Sequence, residues 1–174
     1  MRKIKSLFVL LVCGVMYFML AVGSGTNVST STDSNGTTSQ SAKIATYKMN
    51  EDIYITTSSG KYRVKFTGIK ETKDRNQFSD TKADRVVIIE YEYENMTKDQ
   101  DLYVSSLDFK AYDKQNNALE TYPASVKYPS NVGKGRKATA SVAYALNSTD
   151  NYIELEYYDN MFNDNADCKV IFEW

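Results

Sequence analysis

A two-layer, all-β fold is predicted for residues 44–174 by three features of the sequence. Apolar and polar residues alternate with a period of two, no long stretch keeps a helical period, and polar segments such as "TTSSGK", "ENMTKDQD", "DKQNN" and "NSTDN" separate the runs. Successive side chains of a strand point to opposite faces, so each run acquires one dry and one wet side. Two dry sides facing each other make a sandwich core. At 174 residues, 42% apolar and 13% aromatic, the chain is long and apolar enough for one such core.

Before this domain the composition changes twice. Residues 1–23 begin with Arg2, Lys3 and Lys5, continue through an apolar or small run at 7–22, and end on Ala21-Val22-Gly23. This is the pattern of a secretory signal peptide. The run of 16 residues is shorter than a comfortable membrane span. Cleavage is therefore expected, with retention as an N-terminal anchor helix or lipidation at Cys13 as alternatives. Residues 24–43 form a Ser/Thr-rich linker: in 24–41, 11 of 18 residues are Ser or Thr and only Val28 is strongly apolar. Such a segment cannot order itself by burial, and a flexible chain of this length spans about 25 Å, enough to hold a domain off a membrane or wall.

Charge and cysteine content narrow the classes. The three basic residues of the signal leave 18 basic against 22 acidic residues in the remainder, a net charge of −4 that argues against nucleic acid as a partner. Membrane contact is expected only through the N-terminal segment, if it is retained. Without the signal, Cys168 is the one cysteine, so packing and not a disulfide must hold the exported domain. There is no His, which removes Ser-His-Asp and Cys-His catalysis and His-ligated zinc. Cys168 is expected to be a semi-buried structural thiol.

In order, the strand candidates are residues 52–56, 62–71, 85–95, 102–112, 118–122, 137–146, 152–158 and 169–174. Tyr62, Val64 and Phe66 oppose Lys61, Arg63 and Lys65, while Ile153, Leu155 and Tyr157 oppose Tyr152, Glu154 and Glu156. Seven or eight strands of this kind indicate an antiparallel, immunoglobulin-like sandwich without the Cys-Trp-Cys hallmark of antibody domains. In "VIIEYEYEN", Val87, Ile89, Tyr91 and Tyr93 take the dry face, and Glu90, Glu92 and Glu94 share the wet face with Val86 and Ile88. The glutamates are spaced about 7 Å apart, too far for neighbours to chelate one ion, and should pair with the cations of 61–65.

Other constellations read as structure. Asn163, Asn165 and Asp167 alternate as in a calcium loop, but the turn glycine and closing Glu are missing, so a polar loop is expected. "GKGRK" at 133–137 lacks the setting of a phosphate loop and reads as a glycine turn entering a strand. Four Asn-x-Ser/Thr triplets, at Asn27, Asn35, Asn95 and Asn147, carry meaning only in a eukaryotic source. The 14 tyrosines suit strands and also suit stacking on sugars or peptides.

The succession "GKYRVKFTGIKET", "RVVIIEYEYEN", "SSLDFKAYDKQNNALE", "GKGRKATASVAYAL" and "IELEYYD" resembles the exported bacterial immunoglobulin-like family grouped with the immunoprotective extracellular antigens, largely of unknown function. The resemblance covers about residues 52–174 and rests on the strand closing at Asn95, on Phe109-x-x-Tyr112-Asp113, on a turn at Gly133 or Gly135, and on the strand ending at Leu146. The family's glycine after the Asp113 position is replaced by Gln115-Asn116-Asn117, so that turn's geometry is not carried over. The resemblance implies a secreted or surface-anchored sandwich and transfers no active-site residue.

The expected function is thus a noncatalytic, extracellular or surface-tethered module that binds an envelope or extracellular partner: a protein, a glycan or a cell-wall polymer. No residue is assigned as catalytic, cofactor-binding or metal-ligating, and no cofactor is implied. The alternative is an extracellular carboxylate-dependent hydrolase such as a glycosidase, which would require a concave site with converging carboxylates. Oligomeric state is left unassigned. Residues 44–174 expressed alone should unfold cooperatively and show a β-type circular dichroism spectrum. A helical spectrum, or the absence of a transition, refutes the assignment.

Overall fold

The computed structural model describes residues 44–174, and the signal or anchor segment, the linker, Cys13, Asn27 and Asn35 lie outside the described residues. Eight strands form two four-stranded sheets: β1 (Ala45–Lys48), β2 (Asp52–Thr57), β3 (Gly60–Thr72), β4 (Arg85–Asn95), β5 (Phe109–Tyr112), β6 (Arg136–Leu146), β7 (Tyr152–Tyr157) and β8 (Cys168–Glu173). One sheet has the order β2-β3-β4-β6 and the other β1-β8-β7-β5. Their dry faces meet in the predicted immunoglobulin-like sandwich. Phe66 and Tyr91 of the first sheet pack against Phe109 and Phe172 of the second, with ring centroids of Phe66 and Phe109 5.5 Å apart and of Tyr91 and Phe109 5.1 Å apart.

The expected faces are present. Val87, Ile89, Tyr91 and Tyr93 are buried in this core, as are Ile153, Leu155 and Tyr157. On β3 the inward set Tyr62, Val64, Phe66 gives way to Ile69, which changes parity. A one-residue bulge between Phe66 and Gly68 makes the change possible, so that Phe66 faces Tyr91 and Ile69 faces Ile89.

Four expectations require correction. First, β1 was not anticipated, and it pairs in parallel with β8, Ala45 opposite Cys168 through Lys48 opposite Ile171. The strand is four residues long, and of its side chains only that of Tyr47 packs on the core, too little for a pattern to show. Asn50, at φ 69°, then turns the chain towards β2 in the other sheet.

Second, residues 102–112 are not one strand. Ser105 and Asp108 form a capping box around a 3-10 turn at Ser106–Asp108, and only Phe109–Tyr112 pairs as β5. The buried positions change from even, Leu102 and Val104, to odd, Phe109 and Ala111, across that turn. Third, residues 118–122 make isolated bridges, Ala118 to Tyr112 and Thr121 to Tyr144, and the chain leaves them at Pro123.

Fourth, this same segment covers the outer face of β4 and β6. Val86 and Ile88, expected on a wet face, are buried with Tyr122, Ala143 and Ala145 in a second, smaller cluster. Only the lower half of β4 keeps an open outer face, and there the glutamates meet their cations. Arg63 binds Asp52 at 2.7 Å, Glu92 at 2.5 Å and Glu94 at 3.0 Å, while Lys137 reaches Glu92 at 3.2 Å and Lys70 reaches Glu90 at 2.5 Å.

Burial alone would raise the Glu92 carboxyl, but the bonds from Arg63 and Lys137 and their positive charge hold it below its ordinary value. Hydrogen bonds from Arg63 and then Lys65 lower Asp52 in the same way. Both groups titrate lower in the folded chain than in the unfolded one. Their contribution is therefore complete above the unfolded carboxyl pKa of about 4 and is lost as pH falls through the folded values. The urea midpoint should fall between about pH 5 and about pH 3, and fall less in Glu92→Gln. At neutral pH Glu92→Gln should cost less than about 1 kcal/mol, against about 2–5 kcal/mol for Ile89→Ala in the core. Equal losses at the two positions contradict these faces.

Candidate binding cleft

The inward row of β4 ends in polar tips, and these build a cleft. The Tyr91 hydroxyl donates to the Val104 carbonyl at 3.0 Å. The Tyr93 hydroxyl donates to the Ser130 carbonyl at 2.5 Å and accepts from the Ser130 amide at 2.7 Å. Buried Asn95 donates to the carbonyls of Gln100, at 2.9 Å, and Val132, at 3.2 Å, and accepts from the Lys98 amide at 2.8 Å. A reciprocal pair of backbone bonds between Leu102 and Val132, each 2.9 Å, ties the two loops together. One wall is thus residues 103–107 and the other residues 121–129.

Between these walls lies a cleft of about 420 Å³, floored by Tyr91 and Ser141, Val142 and Ala143 of β6. The β6 edge beneath it is already occupied: the Tyr122 amide donates to the Ala143 carbonyl at 2.8 Å and the Ser141 amide to the Lys127 carbonyl at 2.9 Å. At its mouth Tyr103 and Tyr128 are 52% and 79% exposed, and Leu107 is 67% exposed. No Asp, Glu, Lys or Arg lines it. The arrangement offers aromatic and aliphatic faces with hydroxyls between them, and no group able to transfer a proton at neutral pH.

A second hollow of about 460 Å³ does contain carboxylates, those of Asp113 and Glu120, beside Lys82. Asp113 is engaged in closing its own turn: its oxygens accept from the amides of Gln115 and Asn117 and from the Asn117 side chain, at 2.8–2.9 Å. Burial would raise its carboxyl, but these bonds hold it below its ordinary value, the wrong direction for a general acid. Asn116 sits at φ 63° in this turn, in the left-handed conformation that Asn tolerates better than most residues.

The other motifs lie elsewhere. Glu90, Glu92 and Glu94 are paired with cations on the outer sheet face, away from the cleft lining. In the 159–167 segment the Asp167 carboxylate accepts the Asp159 amide at 2.6 Å, and Asp159 accepts from the Tyr62 hydroxyl, which itself bonds Tyr157 at 2.6 Å. Among the described residues no three His, Cys, Asp or Glu side chains group as metal ligands. Gly135, at φ 72°, closes the 133–137 turn into β6. Cys168 is fully buried, more than expected, and burial with the nearby Asp167 charge pushes its thiol up to about 12. Asn95 is likewise enclosed, so the Asn95-Met96-Thr97 triplet presents no acceptor amide in the folded chain.

Sequence reasoning did not find the cleft, because residues 103–107 and 121–122 of its walls fall in segments read as strands and residues 123–129 carry no period. Two signals were available: Ser105-Ser106-Leu107-Asp108 as a capping box, and Pro123 with Pro129 flanking Tyr128.

Residues 33–159 match the domain of unknown function DUF5067. No curated protein matches the chain. Among solved structures, the secreted protein MPT63 from Mycobacterium tuberculosis is similar, with 13% identity, 77% of this chain and 100% of that chain covered, and a TM-score of 0.57. The yjhA protein of Bacillus subtilis has 15% identity over 73% of this chain and 98% of its own, with a TM-score of 0.51. A putative lipoprotein of Bacillus subtilis, ycdA, has 17% identity over 71% of this chain and 38% of its own, with a TM-score of 0.53. At these identities the likeness is one of fold.

The cleft walls should loosen when their ties are cut. Tyr93→Phe leaves the Ser130 carbonyl and amide without their partner and should cost about 1–3 kcal/mol, with faster amide exchange confined to residues 128–132. Exchange that is unchanged there would show that Tyr93 does not position the wall.

Proposed function

The chain belongs to the DUF5067 family of domains of unknown function, and from that premise we propose that it is a noncatalytic module that binds an envelope or extracellular partner in the cleft between residues 103–107 and 121–129. One observation carries the reading. The cleft is walled by loops held from the core, opens on exposed Tyr103 and Tyr128, and has no acid or base in its lining. Concave, mostly apolar sites with a few polar groups bind ligands, and exposed tyrosines are frequent anchors of such contacts. A glycosidase would need two carboxylates facing one another across a cleft, one of them with a raised pKa.

Export to the cell surface or beyond is part of the same proposal. It is supported by the basic and apolar start of the chain, by the Ser/Thr-rich spacer, and by the descriptions of two fold neighbours as a secreted protein and a putative lipoprotein. The grouping with immunoprotective extracellular antigens rests on the strand and turn pattern around Asn95, Asp113 and Leu146.

The test is retention of the full chain on isolated envelopes of its source cells. Replacing both Tyr103 and Tyr128 by Ala should weaken retention by about 2 kcal/mol, roughly 30-fold, as loss of an aromatic anchor does. Tyr54→Ala, at an exposed tyrosine on edge strand β2, should leave retention unchanged. Equal retention by all three proteins removes the cleft from the function.

A further inference from the structure

The ligand class follows from the chemistry of the cleft, and the inference rests on the reading of that cleft as the binding site. One residue in four of this chain is charged, yet the fifteen that line the cleft include no charged side chain. A ligand charge enclosed there would lose water and gain no counterion, a cost that favours neutral ligands. The side-chain polar groups offered are hydroxyls, those of Ser105, Ser106, Thr121 and Ser141 beside the two tyrosines. A hydroxyl both donates and accepts. The Oγ atoms of Ser105 and Ser141 are already engaged within the fold, accepting the amides of Leu107, at 3.3 Å, and Lys127, at 2.8 Å, and the Ser105 hydroxyl also bonds the Asp108 carboxylate, so a ligand would draw on those of Ser106 and Thr121.

A peptide adding as a strand would need the backbone of a free sheet edge, and the β6 edge under the cleft is occupied by the bonds from Tyr122 and to Lys127. A pyranose ring has an apolar C–H face and a rim of hydroxyls. That combination matches exposed tyrosine faces set beside neutral hydroxyls, and about 420 Å³ is within the range of small-ligand sites.

We propose that the cleft binds an uncharged glycan, with sugar rings stacked on Tyr103 and Tyr128 and sugar hydroxyls paired with those of Ser106 and Thr121. The test is calorimetric titration of the full chain with cellohexaose, maltohexaose and fully N-acetylated chitohexaose, alongside heparin as an anionic polysaccharide and a decaproline peptide. At least one uncharged oligosaccharide should bind. Tyr103→Ala and Tyr128→Ala should each weaken that binding about tenfold, Tyr103→Phe should retain it, and Tyr54→Ala should not alter it. Unchanged melting temperatures establish that the variants are folded. Binding of none of the three sugars, binding indifferent to the two tyrosines, or cleft-dependent binding of heparin or decaproline instead overturns the glycan assignment. If envelope retention still depends on Tyr103 and Tyr128 in that event, the binding cleft stands and only its ligand class is wrong. If retention is indifferent to them as well, both fall.

Discussion

The inward face of one strand holds both the core and the cleft. Tyr91, Tyr93 and Asn95 of β4 place their bodies between the sheets and their polar tips against loop backbone at Val104, Ser130, Gln100 and Val132. A buried polar tip without a partner is costly, so wherever these side chains pack, a loop must come to meet them. The reach of a tyrosine thus sets how far each loop stands from the sheet. Positioning from a rigid strand, and not from within the loops, lets two irregular segments form a defined hollow.

Across the same strand the electrostatics are opposite in character. The outer face concentrates Asp52, Arg63, Lys65, Glu92, Glu94 and Lys137 into a mutually neutralising network, whereas the cleft has no formal charge in its lining. Carboxylates committed to cations stabilise the sheet and are poor proton donors. The acidic row that first catches the eye in "VIIEYEYEN" therefore belongs to the sheet, and the tyrosines between its glutamates serve the cleft.

The sandwich was legible because its long strands bury one face and show the other. β4, β6 and β7 were read within a residue or so of their bounds from alternation alone. What escaped was governed by contacts distant in sequence. β1 has too few inward side chains to show a period, and its parallel partner is more than a hundred residues away. Val86 and Ile88 looked like exceptions on a wet face until the chain around Tyr122 covered them. The capping-box and proline signals mark where the cleft's loops turn but not that they meet: alternation records which side of a strand is dry, and not which loops a tyrosine hydroxyl will reach.

The parallel pairing of β1 with β8 has a mechanical consequence. The described domain begins at one end of β1, and its last residue, Trp174, lies just past the far end of β8. Tension applied between these points pulls two parallel neighbours along their own axes in opposite senses. Their backbone bonds must then yield together in shear, instead of opening one after another as in a peeled hairpin. Force applied between Ala45 and Glu173 would pass through a four-residue edge strand, with Ala45 to Lys48 gripping Cys168 to Ile171 as a clamp.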